Sequence, residues 1–202
     1  MAATPHHKRL EAPARRESIL VAALPAFAAA GYERTRVADI AARVGVTEPV
    51  VFQNFGSKPG LFTAVLERAA DEVVHYIGEL AAHAAGVAET LAIVLAPDHQ
   101  ERLHAGGGLG RLFDEAAGSA HAAIREAGHR AHRRTVKAVA ELLRRGQREG
   151  SIRDDIDAEA IAWLLLSQLH AAQFRRAHSK AAPALERAML EAVLAALRPG
   201  LN

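Results

Sequence analysis

Two histidines one helical turn apart are the first residues of this chain whose types and spacing could do chemistry. His129 and His132, at positions i and i+3 of a helix, could bind a metal ion with His121 or Glu126 as a third ligand. Four cations lie in the same stretch: Arg130, Arg133, Arg134 and Lys137. Because their positive field disfavours a bound cation, the pattern indicates a solvated basic helix face and no metal site.

A glycine-rich segment is the second candidate for chemistry. The segment His104-Ala105-Gly106-Gly107-Gly108 resembles the oxyanion-hole segment of esterases, but the chain has no Gly-x-Ser-x-Gly nucleophile elbow. Arg111 stands where a dinucleotide-binding loop needs its last glycine. The segment is therefore predicted to be a helix break. We predict no catalytic residue and no cofactor, and we expect that the protein is not an enzyme.

The composition indicates which elements position the remaining candidates. Half of the 202 residues are hydrophobic, and aromatic residues make up only 4%. Alanine supplies much of the hydrophobic half and β-branched runs are nearly absent, which favours helix over strand. We therefore predict an all-α protein of about nine helices.

Charge and cysteine content restrict the partners and the compartment. Residues 1–60 hold 8 Lys/Arg against 5 Asp/Glu, whereas the remainder holds 17 against 18. A positive excess confined to the N-terminal part suits a module that contacts DNA phosphates. No apolar stretch approaches the roughly 18 to 20 residues that span a bilayer, so no membrane partner is predicted. The chain has no cysteine, which agrees with a cytoplasmic protein.

Turn residues and hydrophobic periodicity divide the chain into a small and a large helical part. Residues 1–12 are polar and unpatterned and are predicted to be a disordered arm. Residues 13–60 are predicted to form a three-helix module. Residues 61–202 are predicted to form a larger domain, joined to the module by a long helix that Ser57 caps.

The first helix of the module is marked by an apolar stripe. Ile19, Ala23 and Phe27 recur at helical spacing, and Gly31 after them is typical of a helix C-cap. Pro25 lies inside this helix and removes one backbone hydrogen bond, so we predict a kink there.

Residues 36–55 have the pattern of two short crossing helices, a helix-turn-helix. Ile40 and Val44 would face inward, Ala41 would let the helices approach each other, and Gly45 would make the turn. The second helix would present its outward residues to a DNA major groove. These are Thr47 at its N-cap, followed by Glu48, Pro49, Val50, Gln53 and Asn54.

The whole pattern resembles the DNA-binding module of the tetracycline-repressor (TetR) family. The matching residues are Gly31-Tyr32, Thr35, Val37, Asp39-Ile40-Ala41, Gly45-Val46-Thr47, Phe52, Phe55, Ser57-Lys58 and Leu61. The remainder is similar to the family in size and helical pattern. The resemblance implies a ligand-responsive transcription regulator, by default a repressor. It would bind double-stranded DNA at a palindromic operator as a homodimer and be released when a small-molecule inducer binds the larger domain.

The resemblance also implies roles for individual residues of the module. Thr35 and Lys58 resemble phosphate contacts at helix starts. The residues expected to face bases or the adjacent backbone are Arg36, Thr47, Glu48, Val50 and Gln53. Gln53 would pair with adenine, Glu48 would accept a hydrogen bond from cytosine, and Val50 would touch a thymine methyl group.

Three residues depart from the family pattern. Phe52 stands where tyrosine is usual, so one hydroxyl contact to phosphate is missing. Asn54 stands where histidine is usual, although its amide can still donate to phosphate. Together with Pro25, these departures leave an alternative open, in which the chain is a helical small-molecule-binding protein whose DNA module is weak or non-functional.

The larger domain is expected to hold the effector and the subunit interface. The resemblance implies that the last two helices form the dimer interface as a four-helix bundle. The residues expected there are Leu166, His170, Phe174, Leu185, Met189, Ala192 and Ala196. A ligand pocket would lie among the middle helices. The residues expected to line it are His104, Phe113, His121 and Trp163.

Overall fold

The fold is helical throughout the part of the chain that the computed structural model describes, residues 11–96 and 108–200. This part contains ten helices and no strand, which confirms the all-α prediction. The first four are α1 (Ala12–Ala30), α2 (Val37–Arg43), α3 (Glu48–Phe55) and α4 (Lys58–His83). The others are α5 (Val87–Leu95), α6 (Gly108–Ala117), α7 (Ala122–Arg148), α8 (Ala158–His170), α9 (Ala172–His178) and α10 (Ala182–Leu197).

The predicted N-terminal arm lies outside the described residues, except for Glu11 and Ala12, and Ala12 is already the first residue of α1. Within the described ranges, no helix is both long and apolar enough to cross a membrane.

α1 follows the predicted apolar stripe and ends at the predicted residue. Ile19, Ala23 and Phe27 have no exposed surface. Gly31 at the C-cap has a φ of +83°, which favours glycine, and its N–H donates to Phe27 O at 2.8 Å. α1 continues through Pro25 without interruption of the helix, and Pro25 lies on its exposed side.

The helix-turn-helix forms as predicted. Gly45 makes the turn with a φ of +68°, and the N–H of Val46 closes it by donating to Ala41 O at 3.0 Å. Ile40 and Val51 have no exposed surface and Ala41 is 2% exposed. The small residue at position 41 therefore lets α2 and α3 approach closely at their crossing.

Three aromatic rings fix the α1–α3 module against α4. The ring centroids of Phe27 and Phe62 are 4.9 Å apart in an edge-to-face arrangement. Tyr32, in the turn after α1, lies 5.1 Å from Phe62 and 6.3 Å from Phe27. Such aromatic pairs add about 0.5 to 1.5 kcal/mol each beyond burial of their area. They hold α1, the following turn and α4 as one packed unit.

α4 begins at a side-chain cap and runs through two hydrophobic cores. Ser57 caps it, as predicted, because its Oγ accepts a hydrogen bond from Gly60 N at 3.1 Å. The first core lies among α1–α4 and also takes in Leu112 from α6 and Ile124 from α7. The second core includes Ile77 of α4 with parts of α5, α7, α8 and α10. The small module therefore shares its core with helices that follow residue 61.

The C-terminal half contains one more helix than the sequence predicts. α7 ends before Gly150, whose φ is +69°, and Asp157 caps α8 by accepting from Ala160 N at 2.7 Å. The sequence predicts one helix that Asp157 caps and that runs through about Phe174, but in the structure it is divided at Ala171. The ψ of Ala171 is −7°, whereas an α-helix needs about −42°. With this division, residues 11–96 and 108–200 hold ten helices, where about nine were predicted for the chain.

Two glycines inside helices have opposite surroundings. A Cβ added to Gly146 of α7 would lie 2.5 Å from Cγ1 of Ile152 and 3.0 Å from Cβ of Val87. Both neighbours are buried, at 3% and 1% exposure. A Cβ added to Gly78 of α4 would meet no atom within 4 Å. Gly146 is therefore required for the close approach of α5 and the turn after α7.

We expect Gly146→Ala to lower the free energy of unfolding and Gly78→Ala to raise it. Alanine gains about 1 kcal/mol of helix propensity over glycine at both positions. At position 146, overpacking costs about 1 to 3 kcal/mol and outweighs that gain. Urea denaturation followed by circular dichroism measures both changes. Equal stabilisation by the two substitutions would contradict the close packing at Gly146.

Candidate nucleic-acid interface and inner cavity

α3 presents one row of side chains to the core and another to solvent. Val51 has no exposed surface and anchors the helix in the first core. The outward residues of the predicted interface are accessible to different degrees. Arg36, Thr47, Pro49 and Gln53 are exposed, and Glu48, Val50 and Asn54 are half-buried. α3 is therefore anchored on one side and open on the side that would enter a major groove.

Thr47 occupies the N-cap of α3 but does not cap it with its side chain. Its carbonyl accepts hydrogen bonds from Val50 N at 3.0 Å and Val51 N at 3.3 Å, and no helix N–H donates to its hydroxyl. The prediction is correct for the position and wrong for the side-chain bond. Because Thr47 is exposed, its hydroxyl is accessible to a phosphate.

Arg16 of α1 holds the C-terminal end of α3, and sequence reasoning missed this residue. Its Nη1 donates to Asn54 O at 2.5 Å, and its guanidinium lies 4.3 Å from the centroid of the Phe55 ring. A cation is attracted both to an aromatic face and to the carbonyl end of a helix. Arg16 therefore orients the recognition helix. The helical spacing places Arg16 on the exposed side of α1, and this pattern does not predict a contact with α3.

Phe52 and Asn54, the two departures from the family pattern, both have structural contacts. The half-buried ring of Phe52 packs against the first core. Asn54 Nδ2 donates to Val50 O at 2.7 Å. An amide nitrogen carries two protons, so one N–H of Asn54 is left for a phosphate. A phosphate contact of Asn54 stays a prediction.

Thr35 is placed inside the protein, which corrects the expectation of a phosphate contact. It is 5% exposed, and its Oγ1 donates toward Gly31 O at 2.7 Å and Ala26 O at 3.2 Å. Its backbone N–H also donates to Gly31 O at 3.2 Å. Thr35 therefore satisfies carbonyls at the end of α1 and fixes the turn to α2, because its single hydroxyl proton is already used there.

Lys58, the first residue of α4, packs on the turn that follows α1. Its Nζ donates to Glu33 O at 3.0 Å and lies 4.7 Å from the Tyr32 ring centroid. Burial raises the pKa of the Tyr32 phenol, and the nearby Glu33 carboxylate adds to the increase. An ammonium group has three N–H donors, so Lys58 can hold this turn and a phosphate together. The phosphate contact of Lys58 stays a prediction.

A cavity of about 330 Å³, here called the inner cavity, lies among α4, α5, α6, α7 and α8. Most of its wall is apolar, for example Val73, Leu91, Phe113, Val139, Leu142 and Leu166. Glu72, Tyr76, His132 and Thr135 are the polar side chains in its described wall. A mostly apolar cavity of this size with a few polar groups is typical of small-molecule sites.

α6 lies between the inner cavity and the α1–α3 module and contacts both. Leu109 and Phe113 line the cavity. Glu115, about half a turn beyond Phe113, accepts a hydrogen bond at its Oε2 from Tyr32 N at 2.7 Å. Because residues two apart on a helix point to different sides, one helix can bring both sets of contacts together.

Arg111 strengthens the contact of α6 with the end of α1. Its Nη1 donates to Ala29 O at 3.3 Å, and its Nε lies 3.7 Å from Glu115 Oε1. A Cβ at Gly31 would collide with the Glu115 carboxylate. Glycine at position 31 therefore serves both as the α1 C-cap and as the point where α6 approaches most closely. We call Arg111 and Glu115 the α6 clamp.

Two family profiles match the chain. The one described as "Bacterial regulatory proteins, tetR family" matches residues 19–65, and the one described as "Transcriptional regulator SbtR-like, C-terminal domain" matches residues 68–199. The second profile alone covers more than half of the chain. The chain belongs to the TetR family. Regulators of this family bind DNA operators and small-molecule ligands and usually form dimers.

Individual relatives of this TetR-family chain agree in module and fold. The chain is 42% identical over 66 residues to the HTH-type transcriptional activator FasR of Mycolicibacterium smegmatis, a match that covers 33% of this chain and 30% of FasR. A TetR-family regulator of Cytophaga hutchinsonii has a TM-score of 0.78 at 20% identity, covering 95% of this chain and 98% of that one. FadR of Bacillus subtilis, solved in complex with stearoyl-CoA, has a TM-score of 0.70 at 17% identity, covering 90% and 99%. At these identities the two structures establish the shared fold alone.

The pocket residues predicted for the TetR-family ligand domain are distributed over the molecule. Phe113 lines the inner cavity. Trp163 is 44% exposed and does not line it. His121 is exposed, and its ring lies 5.8 Å from Tyr32 beside the DNA-binding module. His104 lies outside the described residues. The predictions for Trp163 and His121 as cavity residues are therefore corrected.

His132 belongs to the cavity wall, which sequence reasoning missed. It is half-buried, lines the inner cavity and lies 5.3 Å from the Trp163 ring, whereas His129 is exposed. Among residues 11–96 and 108–200, no three metal-ligating side chains lie close enough to hold a metal ion. The sequence did not indicate this position, because His132 lies among exposed basic residues such as Arg130 and Arg133. The side of α7 that carries His132 nevertheless faces inward.

The residues predicted for the dimer interface divide by accessibility. Four of them are exposed: Phe174, Leu185, Ala192 and Ala196. Leu166 is only 7% exposed and lines the inner cavity, so its side of α8 faces the protein interior and not a partner. Met189 is half-buried and lines a second, smaller cavity. The side chain of His170 lies outside the described part.

We expect Gln53→Ala to weaken binding at one base-pair position and not uniformly. Gln53 is exposed on α3, where its amide can pair with an adenine edge. Loss of such a contact costs about 1 to 3 kcal/mol and relaxes selectivity at that position. Competition among single-base operator variants at two salt concentrations measures this, and the salt dependence should not change because no phosphate contact is lost. A uniform loss over all variants would argue against base reading by Gln53.

Proposed function

We propose that this TetR-family protein is a homodimeric repressor that leaves a palindromic operator when an apolar small molecule fills the inner cavity. The observation that carries the proposal is the position of α6, which lines the cavity through Phe113 and holds the DNA-binding module through Glu115. When one packed helix contacts two sites, a ligand that shifts the helix changes the affinity of the other site.

The exposed row of α3 supports the DNA-binding part of the proposal. Gln53 and Thr47 are accessible, and Arg16 fixes the far end of the helix. The positive excess of residues 1–60 favours approach to phosphates. In a twofold dimer, the two α3 helices would enter successive major grooves about 34 Å apart, one helical turn of DNA.

The exposed apolar surface of the C-terminal helices supports the dimer. Of the five exposed large apolar side chains in the described residues, four lie on α8–α10: Trp163, Leu164, Phe174 and Leu185. Large apolar side chains that are exposed on neighbouring helices mark a candidate interaction surface. A second copy of the chain would cover this patch, with the exposed alanines of α10 allowing close approach of the helices.

The wall of the inner cavity supports an apolar effector. Its polar groups are few, and Thr135 already donates to Ala131 O at 3.3 Å while Glu72 pairs with Arg68 at 2.9 Å. FadR, which has the same fold, was solved with stearoyl-CoA, a molecule with a long apolar chain. The proposal includes no catalytic step and no cofactor, and it places the protein in the cytoplasm together with its operator.

Selection of bound sequences from a random DNA library with the purified protein, at two salt concentrations, tests the proposal. We expect an enriched palindrome with half-sites about one helical turn apart, and binding that weakens steeply with salt. Repression is then read from a reporter carrying that palindrome in its promoter. Unselective DNA binding, or none, would overturn the proposal in favour of a ligand-binding protein with a non-functional module.

We expect Glu115→Ala to uncouple the two sites while preserving each of them. Glu115 lines no part of the inner cavity and lies away from α3, so binding of the apolar dye N-phenyl-1-naphthylamine and of the operator should both persist. In the unmodified protein, dye binding should reduce operator affinity by a factor within the usual range of about 5 to 150. In Glu115→Ala this factor should approach one.

Fluorescence anisotropy of labelled operator, with and without the dye, measures the coupling. Asp114→Asn is the matched control, because it changes an exposed carboxylate on the same helix. A normal coupling factor in Glu115→Ala would show that the α6 clamp does not transmit the change.

A further inference from the structure

A second cavity, of about 50 Å³, lies beside the inner cavity where α8, α9 and α10 meet. Its wall includes Arg175 and Glu186, whose side chains are 15% and 7% exposed. Leu95, Leu165 and Leu169 line both cavities. The small cavity therefore adjoins the inner cavity on the side of a buried group of charges. We call it the charged cavity.

The carboxylate in this cavity is already paired with a different arginine. Arg176 Nε donates to Glu186 Oε1 at 3.2 Å, and its Nη2 donates to Oε2 at 3.1 Å. This fork-shaped pair uses both carboxylate oxygens. Arg175 Nε lies 3.9 Å from Glu186 Oε1, which is too far for a hydrogen bond. Counted over the described residues, this group of three charges therefore carries one positive charge in excess.

Arg175 has neutral hydrogen-bond partners and a buried donor without one. Its Nη1 donates to Gln168 Oε1 at 3.2 Å, and its Nη2 donates to Gln168 O at 2.8 Å. Its Nε is buried and has no hydrogen-bond partner among the described residues. A guanidinium stays charged, so a buried one without a hydrogen-bonded anion is unfavourable. Glu186 Oε1, 3.9 Å from Nε, offsets part of that penalty, and an anion that entered the charged cavity beside Arg175 would reduce it further.

The size of the charged cavity limits the group that can enter. A cavity needs roughly 10 to 15 Å³ of free volume to hold a single water. The charged cavity therefore suits a group of a few heavy atoms such as a carboxylate. The rest of the ligand would have to lie in the adjoining apolar space. No lysine or arginine lines the inner cavity in the described residues, whereas Arg175 lines the charged cavity beside it.

We infer that the effector is an amphipathic monoanion, with its apolar chain in the inner cavity and a carboxylate in the charged cavity, where it pairs with the guanidinium of Arg175. The inference rests on the proposed function, because it specifies the ligand of the same cavity. An uncharged chain of equal length fills the apolar space but leaves Arg175 without an anion. An ammonium head group is repelled by the excess positive charge.

Displacement of N-phenyl-1-naphthylamine from the full-length protein by three matched ligands tests the inference. Decanoate, decan-1-ol and decylamine share one chain length and differ in the head group. We expect decanoate to displace the dye at a concentration about tenfold or more below that of decan-1-ol, since a hydrogen bond to a charged group is stronger than a neutral one. We expect decylamine to be the weakest of the three.

The outcomes separate this inference from the proposed function. Dye binding with equal affinities for decanoate and decan-1-ol would overturn the charged cavity as a head-group site and leave the apolar effector site in place. No dye binding at all would contradict the effector site itself, and the head-group site with it. The comparison uses the unmodified protein, so it does not depend on the folding of any variant.

The substitution Arg175→Gln tests whether the preference for decanoate over decan-1-ol depends on the Arg175 side chain. We expect it to abolish the tenfold preference for decanoate while the affinity for decan-1-ol stays unchanged. Arg187→Gln is the control, because it removes one charge from an exposed position on α10 and should keep the preference. Circular dichroism checks that both variants remain helical. A preference for decanoate that survives in folded Arg175→Gln would overturn the assignment.

Discussion

The structure depends on the continuity of its cores across the two parts of the chain. α4 and α7 each contribute buried residues to both hydrophobic clusters, and Leu112 of α6 lies in the cluster that holds the DNA-binding module. A module that shares its core with the larger domain cannot shift without disturbing packed side chains, because interiors are packed as densely as organic crystals. The orientation of α3 is thereby tied to helices far along the sequence.

α6 is the helix through which a ligand in the inner cavity could shift the DNA-binding module. The inner cavity lies on one side of the helix, while Arg111 and Glu115 bind the last turn of α1 and the residue after its cap on the other side. A ligand that displaces Phe113 by a small distance must also move the clamp, since a helix transmits displacement along its length. The required coupling of about 1 to 3 kcal/mol is comparable to the loss of one or two such hydrogen bonds.

The sequence allowed the fold and the α2–α3 interface to be predicted because both follow from short-range patterns. Gly45 makes the predicted turn, and Ile40 and Ala41 are buried as their spacing indicates. The surroundings of Trp163 and Leu166 could not be predicted from such patterns. They are three residues apart on one wide apolar stripe, and only the packing of neighbouring helices decides which edge of the stripe faces the cavity. The prediction assigned the two residues to opposite surroundings from those observed.

The contacts of long cationic side chains could not be predicted from the sequence for a different reason. Arg16 and Arg175 each act several ångströms from their own backbone, so helical spacing does not reveal which groups they reach. Arg16 finds a carbonyl and an aromatic ring, which satisfy it within the protein. Arg175 donates to the side-chain and backbone oxygens of Gln168, and its Nε lies 3.9 Å from the Glu186 carboxylate that Arg176 binds. The same residue type thus stabilises the fold at one site and, as we propose, binds the ligand carboxylate at the other.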